Sequence, residues 1–330
     1  MRRLMFCFAM FSVMAFCVVS AVQAKTLVRV GSIQSESFYM NKYMEKFFEI
    51  VNAKTNDAYD FKMFYSSVLG SEESMLEQLQ MGTLDMQFGY SAIRPNYVKE
   101  FEAIGLPGVL ASFDEVHTVM NGPIGQELAD MFLEKTGVRI LWFVDQAYRN
   151  IWLKDKEVNS LADLKGIKIR SPNSPLYIKI LQTLGMNPTP LPFGEIYTAV
   201  QTGVVSGHEQ EDPGVISMKF YEIENRGVVS HHVYQTAIWE ISDIFYKKLP
   251  KEHQPIFYEA AEEAGIWFRP FTGEGAEKKA QQELIEKHGF KITALDQGEL
   301  NALFTPMVDE YAKERGIYEF VQKIRKELGK

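Results

Sequence analysis

The chain has 330 residues, of which 46% are hydrophobic and 24% charged, so one or two domains with large cores are expected. Its 35 basic residues stand against 43 acidic ones, a formal charge of −8. That balance excludes nucleic acid as a main partner and suits a dispersed soluble domain.

In chain order, Arg2 and Arg3 precede an almost wholly apolar run over 4–22, and Val22-Gln23-Ala24 offers a cleavage site. A secretory signal over 1–24 is expected, with a mature chain from Lys25 exported beyond the cytoplasmic membrane. The alternative is an uncleaved anchor, since the run approaches the length of a span. Cleavage would remove Cys7 and Cys17, the two cysteines of the chain, and with them disulfides, thiol nucleophiles and thiolate metal sites. It would also take the basic count from 35 to 33 against 43 acids, a charge of −10.

Leu27 to Gly31 reads as a strand, Met44, Phe47, Phe48 and Val51 as one face of a helix, and Tyr59 to Phe64 as a second strand. A helix over 72–81 stopped by Gly82 and a strand over 84–89 follow. This β-α-β-α-β order predicts a largely parallel sheet covered by helices. It recurs as strand 166–170, helix 175–184, a Pro-rich link, helix 194–202 and strand Val204 to Gly207. QMGTLDM at 80–86 and QTGVVSG at 201–207 echo each other at matching helix–Gly–strand junctions. From about 254 the pattern is mostly helical, with a short strand at Gly289 to Thr293. Without a low-complexity linker, two α/β lobes packed around a cleft are expected.

The most informative stretch is LKGIKIRSPNSP, residues 164–175. Ile167 and Ile169 share one face of an extended run, and Lys168 and Arg170 share the other. Pro172 ends it, Ser174 offers an N-cap, Pro175 suits the first helical position and Gly185 can end the helix. Tyr177, Ile180, Leu181 and Leu184 form the buried face. Arg170 therefore sits at the carboxyl end of a strand, where open α/β sheets bind ligands. The alternative is a surface arginine paired with an acid.

Catalytic signals are scarce. GYSAI at 89–93 and GVVSG at 203–207 lack the nucleophile-elbow spacing, and GEGAEK at 273–278 does not complete a dinucleotide fingerprint. Of six histidines, His208 within HEQED and the His231-His232 pair are the candidates to join acids around a metal. Their plainer reading is a polar loop and a strand-end pair. Paired carboxylates for acid–base work are not selectable among so many acids.

Together LGSEESMLEQLQMGTLDM, NGPIGQEL, LADLKGIKIRSPNSP, MNPTPLPFGEIYTAVQTGVVSG and KFYEI resemble the solute-binding proteins of tripartite ATP-independent periplasmic (TRAP) transporters. The similarity runs in consistent order over most of the mature chain. It implies a two-lobed periplasmic binding protein, α/β with a ligand cleft between the lobes and a helical C-terminal region. Such a protein captures a small organic acid and delivers it to small and large membrane subunits driven by an ion gradient, with no cofactor, metal or catalysis. The lobes are expected over 25–146 plus about 235–275, and 147–234 plus about 276–330.

By the same resemblance Arg170 pairs with the ligand carboxylate, Arg149 of AYRNIW lies near the anion, and Asn173 and Phe193 occupy pocket positions. Phe193 reads equally as core. Glu72 matches an acid facing ligand hydroxyls, or else favours the positive end of its helix. Tyr90 and Trp239 line the cleft or pack in the core. Where the family often reads DGQENP this chain has SGHEQED at 206–212, placing Gln210 in the pocket beside Glu209, Glu211 and Asp212. GSIQSES likewise places Glu36 near the entrance. These acids would meet an amino group or a metal on the substrate, or else are solvated loop charge. Sugar acids, C4-dicarboxylates, keto acids and amino-acid-like compounds all fit two arginines. A sensor or receptor ligand-binding protein and an exported enzyme are the rival readings.

Overall fold

A computed structural model describes residues 24–330; the expected leader up to residue 23, with Cys7 and Cys17, lies outside them. Nine strands form one mixed sheet: β1 (Thr26–Ser32), β2 (Tyr59–Phe64), β3 (Met86–Tyr90), β4 (Val138–Leu153), β5 (Lys168–Ser171), β6 (Asn187–Pro190), β7 (Gly207–Gln210), β8 (Arg226–Ser242) and β9 (Lys291–Ala294). The order is β2-β1-β3-β8-β4-β7-β5-β6, with β9 beside β8. Parallel pairing is confined to the two wings, β2–β1–β3 and β7–β5–β6, and to the β8–β9 edge. The wings are joined by β4 and β8, which run antiparallel to each other and to their other neighbours β7 and β3.

The first wing forms as its sequence dictates. In the Asn41–Lys54 helix, Tyr43, Met44, Phe47 and Val51 are buried, and the helix packs on Gln254–Phe268. The Glu72–Met81 helix starts where the Ser71 hydroxyl accepts the Ser74 N–H at 3.3 Å. It ends on Gly82, whose φ of +70° suits glycine. Pro175–Thr183 likewise opens on Pro175 and buries Tyr177, Ile180 and Leu181. Ser174 stands at its N-cap but accepts no capping bond.

Two expectations are corrected here. The chain-order reading contains no strand over 138–153 or 226–242, yet these are the two longest in the sheet. Covered on both faces, they bury nearly every side chain, and β4 carries register shifts at Ile140/Trp142, Val144/Ala147 and Arg149/Ile151. Each shift resets the inside–outside alternation on which strand recognition depends. The expected strand Val204 to Gly207 begins instead at Gly207. There β7 approaches β4 so closely that a Cβ on Gly207 would stand 2.0 Å from the Trp152 carbonyl oxygen. HEQED, expected as a polar loop, is therefore strand and helix start. His208 through Asp212 are all buried.

The larger apolar core fills the first wing and the sheet centre; a smaller one around Trp152, Ile196, Val200, Phe220 and Phe290 fills the far side of the second. The C-terminal helices Gln297–Glu314 and Tyr318–Glu327 fasten back onto the first half of the chain. Tyr311 donates to Glu102 at 2.9 Å, Arg315 pairs with the same carboxylate at 2.9 Å, and Lys330 reaches Glu115 at 2.7 Å. Among the described residues no helix is long and apolar enough to cross a membrane.

Trp239 belongs to the larger core. Its ring is fully buried between Tyr43, Phe47, Phe48 and Phe88, with centroids 5.2–6.2 Å away. Trp239→Ala should lower the unfolding free energy by about 3–5 kcal/mol in a urea titration, without changing ligand affinity in the folded variant.

Candidate functional site

The carboxyl ends of β1, β3, β5, β6 and β7 converge on one cavity of about 750 Å³. The first wing contributes Gln34, Glu72 and Tyr90; the second contributes Arg170, Asn173, Phe193 and Gln210; the middles of β4 and β8 add Arg149 and Gln235. Three bonds cross the gap at its rim, one of them from the Ser35 hydroxyl to the Ser217 carbonyl at 3.4 Å. The Ser37 hydroxyl donates to the Ser217 carbonyl at 3.0 Å, and the Asn96 amide to the Asn173 carbonyl at 3.2 Å.

Arg170 stands one residue before the end of β5 and is only 4% exposed. Its Nε donates to the Leu191 carbonyl at 2.9 Å, which aims the guanidinium, and its Cζ lies 6.0 Å from the centre of the Phe193 ring. Among the described residues, no carboxylate stands within ion-pair distance of it. Burial brings its pKa down to about 10, an effect that Glu209 only partly offsets and the neighbouring Arg149 reinforces. At neutral pH it remains a cation, held in place with its terminal nitrogens uncommitted.

Arg149, expected to lie near the anion, also lines the cavity but has partners within the protein. Its Nε and Nη2 donate to the Glu209 carboxylate, Nη2 also to the Glu209 carbonyl, and Nη1 to Gln235. Burial would lower both charges, but the pair sustains itself: Arg149 is raised above its ordinary value, and Glu209, helped by His232, falls to about 2. Arg149 lines the cavity as half of a neutral couple.

Glu72 is 7% exposed on the opposite wall. Its Oε1 accepts the Tyr90 N–H at 2.7 Å and lies 2.9 Å from Arg94 Nη1. Burial raises its carboxyl to about 7 despite both contacts. Asn173, Phe193, Tyr90 and Gln210 line the cavity. Trp239 and Glu36 do not. The Glu36 side chain is exposed, because the flanking Ser35 and Ser37 turn their hydroxyls to Ser217 and leave it outward. Gln34, two residues earlier in GSIQSES, faces the cavity instead. Gln235, which orients Arg149, carried no motif, and neither did Arg94 or Glu240 behind Glu72.

The acids of HEQED are not solvated. Glu209 is matched by Arg149. Asp212 accepts from Asn150 at 2.7 Å and from Gln281 at 2.5 Å, and Glu211 stands 3.8 Å from Arg149 Nη1 with neither oxygen hydrogen-bonded. Burial raises Glu211 and Asp212 each to about 7. His208 pairs with Glu224 at 2.8 Å, His231 with Glu277 at 3.4 Å, and His232 with Ser230 at 2.7 Å. Among the described residues no three such side chains converge as a metal-binding group.

Comparison with known proteins gives this geometry its context. The profile of the family described as "Bacterial extracellular solute-binding protein, family 7" matches residues 30–315. The chain belongs to this family. The 2,3-diketo-L-gulonate-binding periplasmic protein YiaO of Escherichia coli is 28% identical over 259 residues, covering 78% of each chain. Among solved structures, a TRAP periplasmic solute-binding protein from Bradyrhizobium in complex with α/β-D-galacturonate superposes with a TM-score of 0.83 at 28% identity, covering 91% of this chain and 99% of that one. Another, from Chromohalobacter salexigens with bound D-glucuronate, gives 0.84 at 26% over the same shares. The fold is that of the two-lobed TRAP binding proteins, as the motif series implies, and this chain is a solute-binding protein.

The buried acids fix a pH dependence. Because Glu211, Asp212 and Glu72 are raised, the stability they contribute is full below about pH 4 and is lost as pH rises toward about 7. The raised His231 acts in the same sense and the lowered His232 against it. Glu209, depressed, contributes stability that is lost only as pH falls toward about 2. Differential scanning calorimetry should therefore find a higher melting temperature near about pH 5.5 than about pH 7.5. Glu211→Gln with Asp212→Asn should flatten that decline.

Proposed function

We propose that this family member captures a small monocarboxylic acid bearing several hydrogen-bond donors, such as a sugar acid, and delivers it to TRAP membrane subunits for ion-gradient-driven uptake. The observation that carries the reading is Arg170: an oriented, uncompensated guanidinium inside a cavity whose other cation, Arg149, is neutralised. A carboxylate meets such a fork with two charge-assisted bonds. Asn173, Phe193 and Gln210 would flank that carboxylate, while Glu72 and Tyr90 would face the ligand's hydroxyls. The sugar acids bound by the solved relatives carry this combination.

On this reading the lobes are 25–146 plus about 235–275 and 147–234 plus about 276–330, with the last two helices fastened across both. The ligand stabilises closure by touching both walls at once, and it can shift that balance only by binding the closed form better. The bonds from Ser37 and Asn96 to the opposite rim are part of that closed form. The protein works outside the cytoplasmic membrane after its leader is removed, without catalysis or a cofactor.

Isothermal titration calorimetry against a panel of sugar acids, C4-dicarboxylates and keto acids tests the proposal. A sugar acid should bind, and Arg170→Ala should weaken it by about ten- to a thousandfold. Unchanged affinity in the variant, or a preference for dicarboxylates, would remove it. Turnover of the bound acid would favour an enzyme instead.

A further inference from the structure

Behind Glu72 lies a charged group that the cavity itself never reaches. Arg94 is 0% exposed and absent from the cavity wall. It sits in the 3-10 turn Ser91–Asn96, its Cζ 5.7 Å from the Phe132 ring centre. Its Nε and Nη2 grip Glu240 of β8 at 2.6 and 2.7 Å, and its remaining nitrogen, Nη1, forms an ion pair with Glu72 at 2.9 Å without hydrogen-bond alignment. The backbone is cut to fit this arrangement. A Cβ on Gly89 would stand 2.0 Å from Arg94 Nη2 and 2.8 Å from Glu240 Oε2, so glycine alone leaves room for the fork.

We propose that Arg94 is a positioning residue: locked to Glu240, it lends its third nitrogen to Glu72 and fixes a carboxylate acceptor on the wall facing Arg170. The consequence is a division of one positive charge between two carboxylates. Paired with Glu72 alone, Arg94 would neutralise it as Arg149 neutralises Glu209. Sharing it with Glu240 leaves Glu72 oriented yet short of a full counter-charge, so it retains acceptor strength for a hydroxyl or ammonium of the ligand. The cavity then has one cationic pole and one anionic pole, which favours an acid carrying donors at its other end over a dicarboxylate. This specificity claim rests on the organic-acid reading above; the positioning claim does not.

The groups that set the charge of Glu72 are Arg94 and Glu240 behind it, Glu73 beside it on its own helix, and the Tyr90 N–H. Tyr97 stands on the same side, and Arg170 and Tyr177 face it from the other wall. Two substitutions move this balance in opposite directions. Glu240→Gln hands the whole of Arg94 to Glu72, so the Glu72 carboxyl should titrate lower. Arg94→Met with Glu240→Met replaces the buried pair by apolar side chains of similar volume, a change that buried pairs often tolerate; Glu72 should then titrate higher. Carbon-13 carboxyl NMR of the ligand-free protein reads this directly, with Glu72 assigned by loss of its signal in Glu72→Gln.

A merely structural Arg94 would change the melting temperature and leave the Glu72 midpoint in place. An unmoved midpoint in Glu240→Gln, whether or not the double variant folds, overturns the proposal. Calorimetry with D-glucuronate and D-galacturonate supplies the functional arm. The double variant should bind at least about tenfold more weakly at neutral pH and recover as pH rises and Glu72 ionises. Equal affinity in wild type and double variant overturns the specificity claim while leaving Arg170 intact. Absence of binding by any form counts against the organic-acid reading, and the ligand-free titration still decides the role of Arg94.

Discussion

A positive charge held out of water without a counter-ion is the constraint around which this molecule is arranged. Burying a cation is unfavourable unless something compensates it, and Arg170 has only a carbonyl from Leu191, the face of Phe193 and the more distant field of Glu209. On the proposed reading, a carboxylate entering the cavity would remove a cost already present in the fold. The other two buried guanidiniums among the described residues have carboxylate partners. Arg149 gives four of its five N–H donors to Glu209 and Gln235, and Arg94 gives Nε and Nη2 to Glu240 with Glu72 at 2.9 Å from Nη1. Among the three buried guanidiniums of the described residues, Arg170 is the one without a carboxylate partner.

Much of this was legible in the letters. LKGIKIRSPNSP yields a strand, a stop and a helix start by local rules alone, and those rules put Arg170 at a strand's carboxyl end without any knowledge of its neighbours. The helix starting at Glu72 and the stop at Gly82 were equally readable, since capping and left-handed backbone are local demands. What failed was everything decided by distant partners. HEQED reads as solvated loop until Arg149, Asn150 and Gln281, from 60 or more residues away along the chain, come to meet it. Glu36 differs from the expectation because its neighbours Ser35 and Ser37 decide which way it points, and Trp239 falls on the core side of its two open readings. A one-residue change of register exchanges core for cavity, and the register of β8 is set by β3 and β4 rather than by its own sequence.

The resemblance to a known family carried the fold and the class of protein, but it could not say how each pocket arginine is used. Arg149 matches a family position near the anion, yet in this chain most of its hydrogen-bonding capacity is taken up within the protein. Side-chain identity at an aligned position thus fixes less than the local balance of charge. Gln34 and Gln235 make the same point in reverse, since neither belongs to a recognisable motif and both face the cavity.

The two wings are linked by β4 and β8, long strands bonded to one another along most of their length, rather than by flexible loops. Such a connection behaves like a two-ply leaf spring. Parting the jaws requires the ribbon to flex as a unit, most easily at the irregularities in β4 where the ladder is already interrupted. One of them falls at Arg149, beside the cavity itself, so the most pliable part of the ribbon also forms part of the cavity wall.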